Sequence, residues 1–198
     1  MIIDRRANLP PVSNQGSEPK CVAYAFRALA FEAGYDVEAD YIYEQAQLLD
    51  DIPGEDYNGT QLIGGVRMLR KSGLAGRIRA VQSKRTQILD ALTKSCVVLA
   101  CHNSLFGITK EGTHAITLCA YDNATDKVLV YNSWGKEWGI GGYAWFKLSD
   151  ILFSMHGVGY AVIPKEKTKK YSRKKAIKVA SIIGGVIVIG GVLLWVLF

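Results

Sequence analysis

The chain has 198 residues and a formal charge of +6, from 24 Lys and Arg against 18 Asp and Glu, with a mean hydropathy of +0.09. That length fits one compact domain of about 160 residues plus an appendage and excludes a large multidomain assembly. The charge is unevenly placed: residues 165–178 hold eight bases and one acid, a local +7, which leaves residues 1–164 with sixteen bases and seventeen acids, a net −1. A basic, nucleic-acid-binding body is therefore excluded, and no nucleic-acid partner is expected.

In chain order, the first half reads as helical. After Pro10-Pro11 and the turn-like Ser13-Asn14-Gln15-Gly16-Ser17, a run rich in alanine and aromatics predicts a helix over 21–33, stopped by Gly34. Further helices are predicted over 40–50 and over 60–72, the second closed by Gly73. Ser83 is expected to cap a short helix ending at Lys94, with Ile88, Leu89 and Leu92 on one face. The period then changes to that of strands, over 96–102, 114–121, 127–131, 143–147 and 157–163, with 122–126 as a hairpin turn. Helices first and an antiparallel sheet second is an α+β arrangement. No internal repeat is found.

The chain closes with twenty uncharged residues, 179–198. As a helix they span about 30 Å, the hydrocarbon thickness of a bilayer, so a single transmembrane helix is predicted. Its four glycines suit a membrane helix, and Ser181 with Gly185 and Ala180 with Gly184 give the small-xxx-small spacing of helix pairing. The basic run before it predicts contact with anionic lipid headgroups and places the domain on the cytoplasmic side. The expected organisation is a domain over 1–164, a basic juxtamembrane linker over 165–178 and a tail anchor over 179–198. The start of the chain carries no apolar signal region. Cys21, Cys96, Cys101 and Cys119 show no C-x-x-C spacing, which argues against a zinc site or redox pair, and the last three sit in apolar stretches as small hydrophobes. No metal or other cofactor is expected. Two sequons, at Asn58 and Asn123, are taken as unused in a cytosolic domain.

Chemistry concentrates at three places. Cys21 falls at the start of a predicted helix just after Pro19-Lys20, where backbone N–H groups and the helix dipole favour a thiolate. His114 opens an otherwise apolar strand. The segment Tyr131-Asn132-Ser133-Trp134-Gly135-Lys136-Glu137-Trp138-Gly139-Ile140-Gly141-Gly142-Tyr143 packs two tryptophans and four glycines into thirteen residues, a shaped loop rather than a plain turn. A Cys–His pair needs a third group to orient the imidazole, and an asparagine amide oxygen serves.

With these segments in this order, the chain resembles the papain-like cysteine peptidases. Pro11-Val12-Ser13-Asn14-Gln15-Gly16 followed by Cys21 is similar to that family's nucleophile region, and His114-Ala115 and Asn132-Ser133-Trp134-Gly135 to its histidine and asparagine segments. The resemblance covers about residues 4 to 163 and implies a two-lobed fold, a helical lobe with the nucleophile helix and a sheet lobe. It implies Cys21 as nucleophile, His114 as base and acid, and Asn132 as the residue that orients it. Gln15 and the Cys21 backbone N–H would form the oxyanion hole, and Trp134 would shield the Asn132–His114 hydrogen bond. Gly59 is either the cleft glycine that pairs with an extended peptide substrate or an ordinary turn glycine.

Departures from the family pattern are also legible. Glu18 stands where the family has a cysteine, so that disulfide cannot form, and Val22 replaces a cleft aromatic. Only 93 positions separate Cys21 from His114, shorter than the roughly 130 or more expected of plant and lysosomal members, so the sheet half must be trimmed. Met1 stands three residues before the Asp4-Arg5 that resembles a mature start, so no pro-segment is expected and control falls to location. The expected function is a membrane-anchored cysteine endopeptidase, a design that would suit a virus-encoded protein. A non-catalytic membrane or virion component keeping the fold, and a thiol acyltransferase or isopeptidase, are the alternatives.

Overall fold

The computed structural model describes residues 2–51, 59–74 and 77–163. The basic run over 165–178, the predicted span over 179–198 and the boundary at 164 lie outside the described residues, as does the sequon asparagine Asn58. Among the described residues no helix is long and apolar enough to cross a membrane.

A short N-terminal strand β1 (Ile2–Asp4) leads to three helices, α1 (Cys21–Glu32), α2 (Ala39–Gln47) and α3 (Leu62–Leu69). Then come β2 (Ile78–Val81), α4 (Arg85–Lys94), β3 (Val97–His102), β4 (Thr113–Asp122), β5 (Lys127–Tyr131), β6 (Tyr143–Lys147), α5 (Leu148–Ser154) and β7 (Met155–Val162). The strands form one antiparallel sheet in the order β2-β7-β3-β4-β5-β6. β1 pairs with the part of β4 beyond Leu118, where β3 begins. This is the α+β arrangement expected from the sequence.

Helix α1 is favoured by four alanines among its twelve residues, and it ends because Gly34 takes φ +89°, letting Tyr35 N–H reach back to Ala30 O at 2.9 Å. Its buried face, including Ala25, Phe26 and Leu29, packs on the sheet. Burying a side chain such as Phe26 stabilises by about 1.5–3 kcal/mol. Alternate residues of the central strands face opposite layers. Val98, Ala115, Cys119 and Leu129 join the core under α1–α3, while Val97, Leu99, Ile116, Leu118, Val128 and Val130 join a second core under α4 and α5. Both faces are covered, which is why β3 reads as a continuous apolar run rather than an alternating one. Cys96, Cys101 and Cys119 are buried free thiols, as expected of small hydrophobes.

Several boundaries differ from the sequence expectation. α2 starts at Ala39 and stops at Gln47, and α3 stops at Leu69, after which residues 70–74 widen into a π-type turn where Gly73 takes φ +95°. Ser83 does not cap α4: its hydroxyl donates to Leu152 O at 2.9 Å, and the turn is closed by Gln82 N–H donating to Gln87 Oε1 at 2.9 Å. β1, β2 and α5 are additional elements, and the last strand starts two residues early, at Met155.

Candidate active site

Cys21 is the first residue of α1 and half-buried. The residue before it, Lys20, is held from two sides, by Glu18 and by Asp40 at 2.9 Å, and its ammonium lies 5.5 Å from the centre of the Tyr43 ring. That clamp fixes the turn from which the helix starts. Burial pushes the Cys21 thiol up from its ordinary value, while backbone N–H groups of Ala115, Val22 and Cys21 itself pull it down.

His114 is the second residue of β4, opposite Cys101 of β3, and is 5% exposed. One ring nitrogen, Nε2, lies 2.6 Å from Asn132 Oδ1. The same Oδ1 accepts the Ser133 N–H at 2.7 Å. Only an oxygen can accept from that N–H, so the amide orientation is fixed, and Nε2 of His114 must be the donor. In the neutral ring the proton therefore sits on Nε2 and the lone pair on Nδ1. Burial lowers the His114 pKa to about 4, against a smaller upward pull from the Asn132 hydrogen bond.

The imidazole sits in an aromatic box. Trp134 stacks on it with ring centres 4.3 Å apart at 28°, and Phe106 meets it edge-on at 5.6 Å. Phe106 also touches Trp134, Trp138 and Phe146. Water has little access to the His114–Asn132 bond, which strengthens it.

The nucleophile segment and the asparagine segment are tied together. Gln15 N–H donates to Ser133 O at 2.8 Å, and Asn14 and Trp134 form an antiparallel bridge. Gln15 Oε1 accepts the Ser133 hydroxyl at 2.5 Å, and its Nε2 donates to Glu18 O at 2.7 Å. The glycines of the loop make this approach possible: at Gly142, with φ +89°, a Cβ would lie 2.4 Å from Val12 Cγ1.

Gln15, Cys21, Gly59, His114 and Trp134 all line one cleft of about 510 Å3, with Asn132 buried behind His114. Residues 59–62 form part of the helical wall, and Ala115, Val158 and Tyr160 part of the sheet wall. Val22, in place of an aromatic, also lines the cleft. Gly59 O accepts from Gln47 Nε2 at 3.3 Å. Three contributors were missed from the sequence: Ser133, Phe106 and Asp50, whose Oδ2 accepts from Thr60 Oγ1 at 2.5 Å and Gln61 N–H at 3.0 Å and so pins the wall that carries Gly59. Among the described residues no group of three or more His, Cys, Asp or Glu side chains is placed to hold a metal ion.

No family model matches the chain, and no curated protein sequence matches it. Solved structures do. The bromelain protease from Ananas comosus in complex with the E64 inhibitor is 19% identical with a TM-score of 0.60, over 83% of this chain and 99% of its own. A Carica candamarcensis cysteine protease in complex with E-64 is 17% identical with a TM-score of 0.59, again over 83% and 99%. Xylellain, a cysteine protease from Xylella fastidiosa, is 17% identical with a TM-score of 0.59, over 81% of this chain and 88% of its own. At these identities the likeness establishes the fold, which is papain-like.

Proposed function

We propose that the chain is a cysteine endopeptidase acting on protein or peptide substrates. The observation that carries this reading is the buried His114–Asn132 hydrogen bond, with His114 and Cys21 facing one cleft of the papain-like fold. Burial favours the neutral imidazole, the state required of a base. Nδ1 of His114 takes the Cys21 thiol proton as Sγ attacks the substrate carbonyl carbon. The carbonyl oxygen becomes an oxyanion, held by the Cys21 backbone N–H and by the Gln15 Nε2 hydrogen not given to Glu18. The imidazolium then protonates the leaving amine, the C–N bond breaks and a thioester on Cys21 remains. Water, deprotonated by His114, attacks the thioester; the carboxylic acid leaves and the thiol is restored. Asn132 keeps the ring in the tautomer that makes Nδ1 the base, and Trp134 excludes water from that bond. Gly59, on the helical wall, is the backbone partner for an extended peptide.

The test is covalent labelling of the full chain in detergent by an electrophilic peptide epoxide. Labelling at Cys21, abolished in Cys21→Ala and reduced in His114→Ala, supports the reading; a wild-type chain that takes no label at neutral pH sinks it.

The same reading includes a membrane anchor: 179–198 in the bilayer, 165–178 against anionic headgroups, and the domain on the cytoplasmic side. Twenty uncharged residues preceded by a local +7 support it. The full chain is expected to resist alkaline extraction from membranes, and a chain ending at 164 to be soluble and active. Glycosylation of Asn123 in cells would overturn the orientation.

A further inference from the structure

We propose that His102 and His156 form a binding site for a divalent transition-metal ion at the edge of the cleft. The chain has three histidines. One is His114, and the other two lie against each other, with ring centres 5.4 Å apart and planes at 81°. The site does not depend on the peptidase reading.

The backbone fixes this pairing. β3 and β7 are neighbours, with Ala100 opposite His156 and Cys101 opposite Met155. His102 and His156 therefore stand diagonally across two adjacent antiparallel strands and share a face of the sheet. Both are exposed, and no hydrogen bond or ion pair among the described residues engages either imidazole. His156 lines the cleft together with Asn103, the residue after His102. Cys101 does not compete for the ion, because it is buried on the opposite face among the residues under α4 and α5.

Imidazole is a preferred ligand of Zn2+, Ni2+ and Cu2+. Two imidazoles sharing one tetrahedral ion through N–metal bonds of about 2.0–2.1 Å have ring centres about 5 Å apart. The separation across β3 and β7 already meets that distance, and exposed rings need only turn about their side-chain bonds to present one nitrogen each. No third His, Cys, Asp or Glu among the described residues completes a protein-only site. The ion therefore keeps open positions for water or for a carboxylate of a peptide lying in the cleft, and it exchanges rather than holding the fold together.

The test is calorimetric titration of the untagged full chain in detergent with NiCl2, and separately ZnCl2, in a Cys21→Ser background that removes the reactive thiol. One ion is expected to bind per chain. His102→Ala and His156→Ala in that background are each expected to weaken binding at least about tenfold, the loss that even an outer-shell partner costs. His114→Ala is expected to leave it unchanged. No binding, or binding lost with His114→Ala and kept in both of the other variants, overturns the proposal. Both histidines are exposed, so thermal unfolding of the variants should match the parent and exclude loss of fold as the cause.

Discussion

The Ser133 hydroxyl donates to Gln15 Oε1 at 2.5 Å while the Ser133 N–H donates to Asn132 Oδ1 at 2.7 Å. One residue thus sets two amides, that of Gln15 on the Cys21 side of the cleft and that of Asn132 behind His114. Holding Oε1 on Ser133 directs Nε2 of Gln15 the other way, which is the orientation a donor to an oxyanion needs. Ser133→Ala keeps the N–H and removes only the hydroxyl. The expected loss is about 1 kcal/mol of transition-state stabilisation, or about fivefold in kcat, with KM nearly unchanged. Steady-state kinetics on a peptide substrate check this, and a variant that raises KM while keeping kcat removes Ser133 from the oxyanion side.

Phe106 is the hub of the aromatic box, meeting His114 at 5.6 Å and Trp134 at 5.4 Å. Truncating it opens the edge of the imidazole to water and relieves the desolvation that lowers the His114 pKa to about 4. Phe106→Ala is expected to move the His114 titration upward, toward the ordinary value near 6.5, and Phe106→Leu to move it less. NMR titration of the ring protons reads this without any substrate. An unmoved titration in a folded Phe106→Ala protein would assign the low pKa to Trp134 and the surrounding sheet instead.

The residues that the structure gathers at the cleft were legible because few combinations of side chains and segments share that pattern. A cysteine after Pro19-Lys20 at a helix start, a histidine opening an apolar strand and an asparagine before a Trp- and Gly-rich loop have few alternative explanations in combination. Their supports were not legible. Asp50 and Gln61 are eleven positions apart and meet only because α2 and α3 pack side by side. Phe106 sits in a turn of four residues, 103–106, too short to show any period. β1 and β2, of three and four residues, and α5, of seven, fall below the length at which alternation or helical spacing separates from chance. Ser83 misled because a hydroxyl before a helix can cap it or bond elsewhere, and here the carbonyl of Leu152 is within reach.

Asp50 anchors the helical wall through Thr60 and Gln61, and its other oxygen, Oδ1, is buried without a partner among the described residues. The described residues contain no disulfide in this wall, so the Asp50 carboxylate, together with Gln47 Nε2 at Gly59 O, fastens it. Asp50→Asn removes the charge from both hydrogen bonds at a cost of about 1.5 kcal/mol. The cleft wall carrying Gly59 loosens while Cys21, His114 and Asn132 keep their places. The expected result is a KM about tenfold higher with kcat largely kept. Equal losses in kcat and kcat/KM would instead place Asp50 in the support of the reacting groups.

Acid is expected to act on His114 before most other groups matter. Its folded pKa is lowered to about 4 by burial, whereas in the unfolded chain it titrates near 6.5. Between those values the unfolded chain binds more protons than the folded one, so stability rises with pH across that window. The contribution, about 3 kcal/mol at full size, is present above pH 6.5 and disappears progressively as pH falls to 4. In the proposed mechanism catalysis has the same limit, because a protonated ring cannot take the Cys21 proton. Thus kcat/KM should hold from pH 7 down to about 5 and fall through 4. Denaturant midpoints measured at each pH separate the two effects. A loss of activity centred near pH 6.5 in a protein whose midpoint has not moved would show that His114 is solvated rather than boxed in.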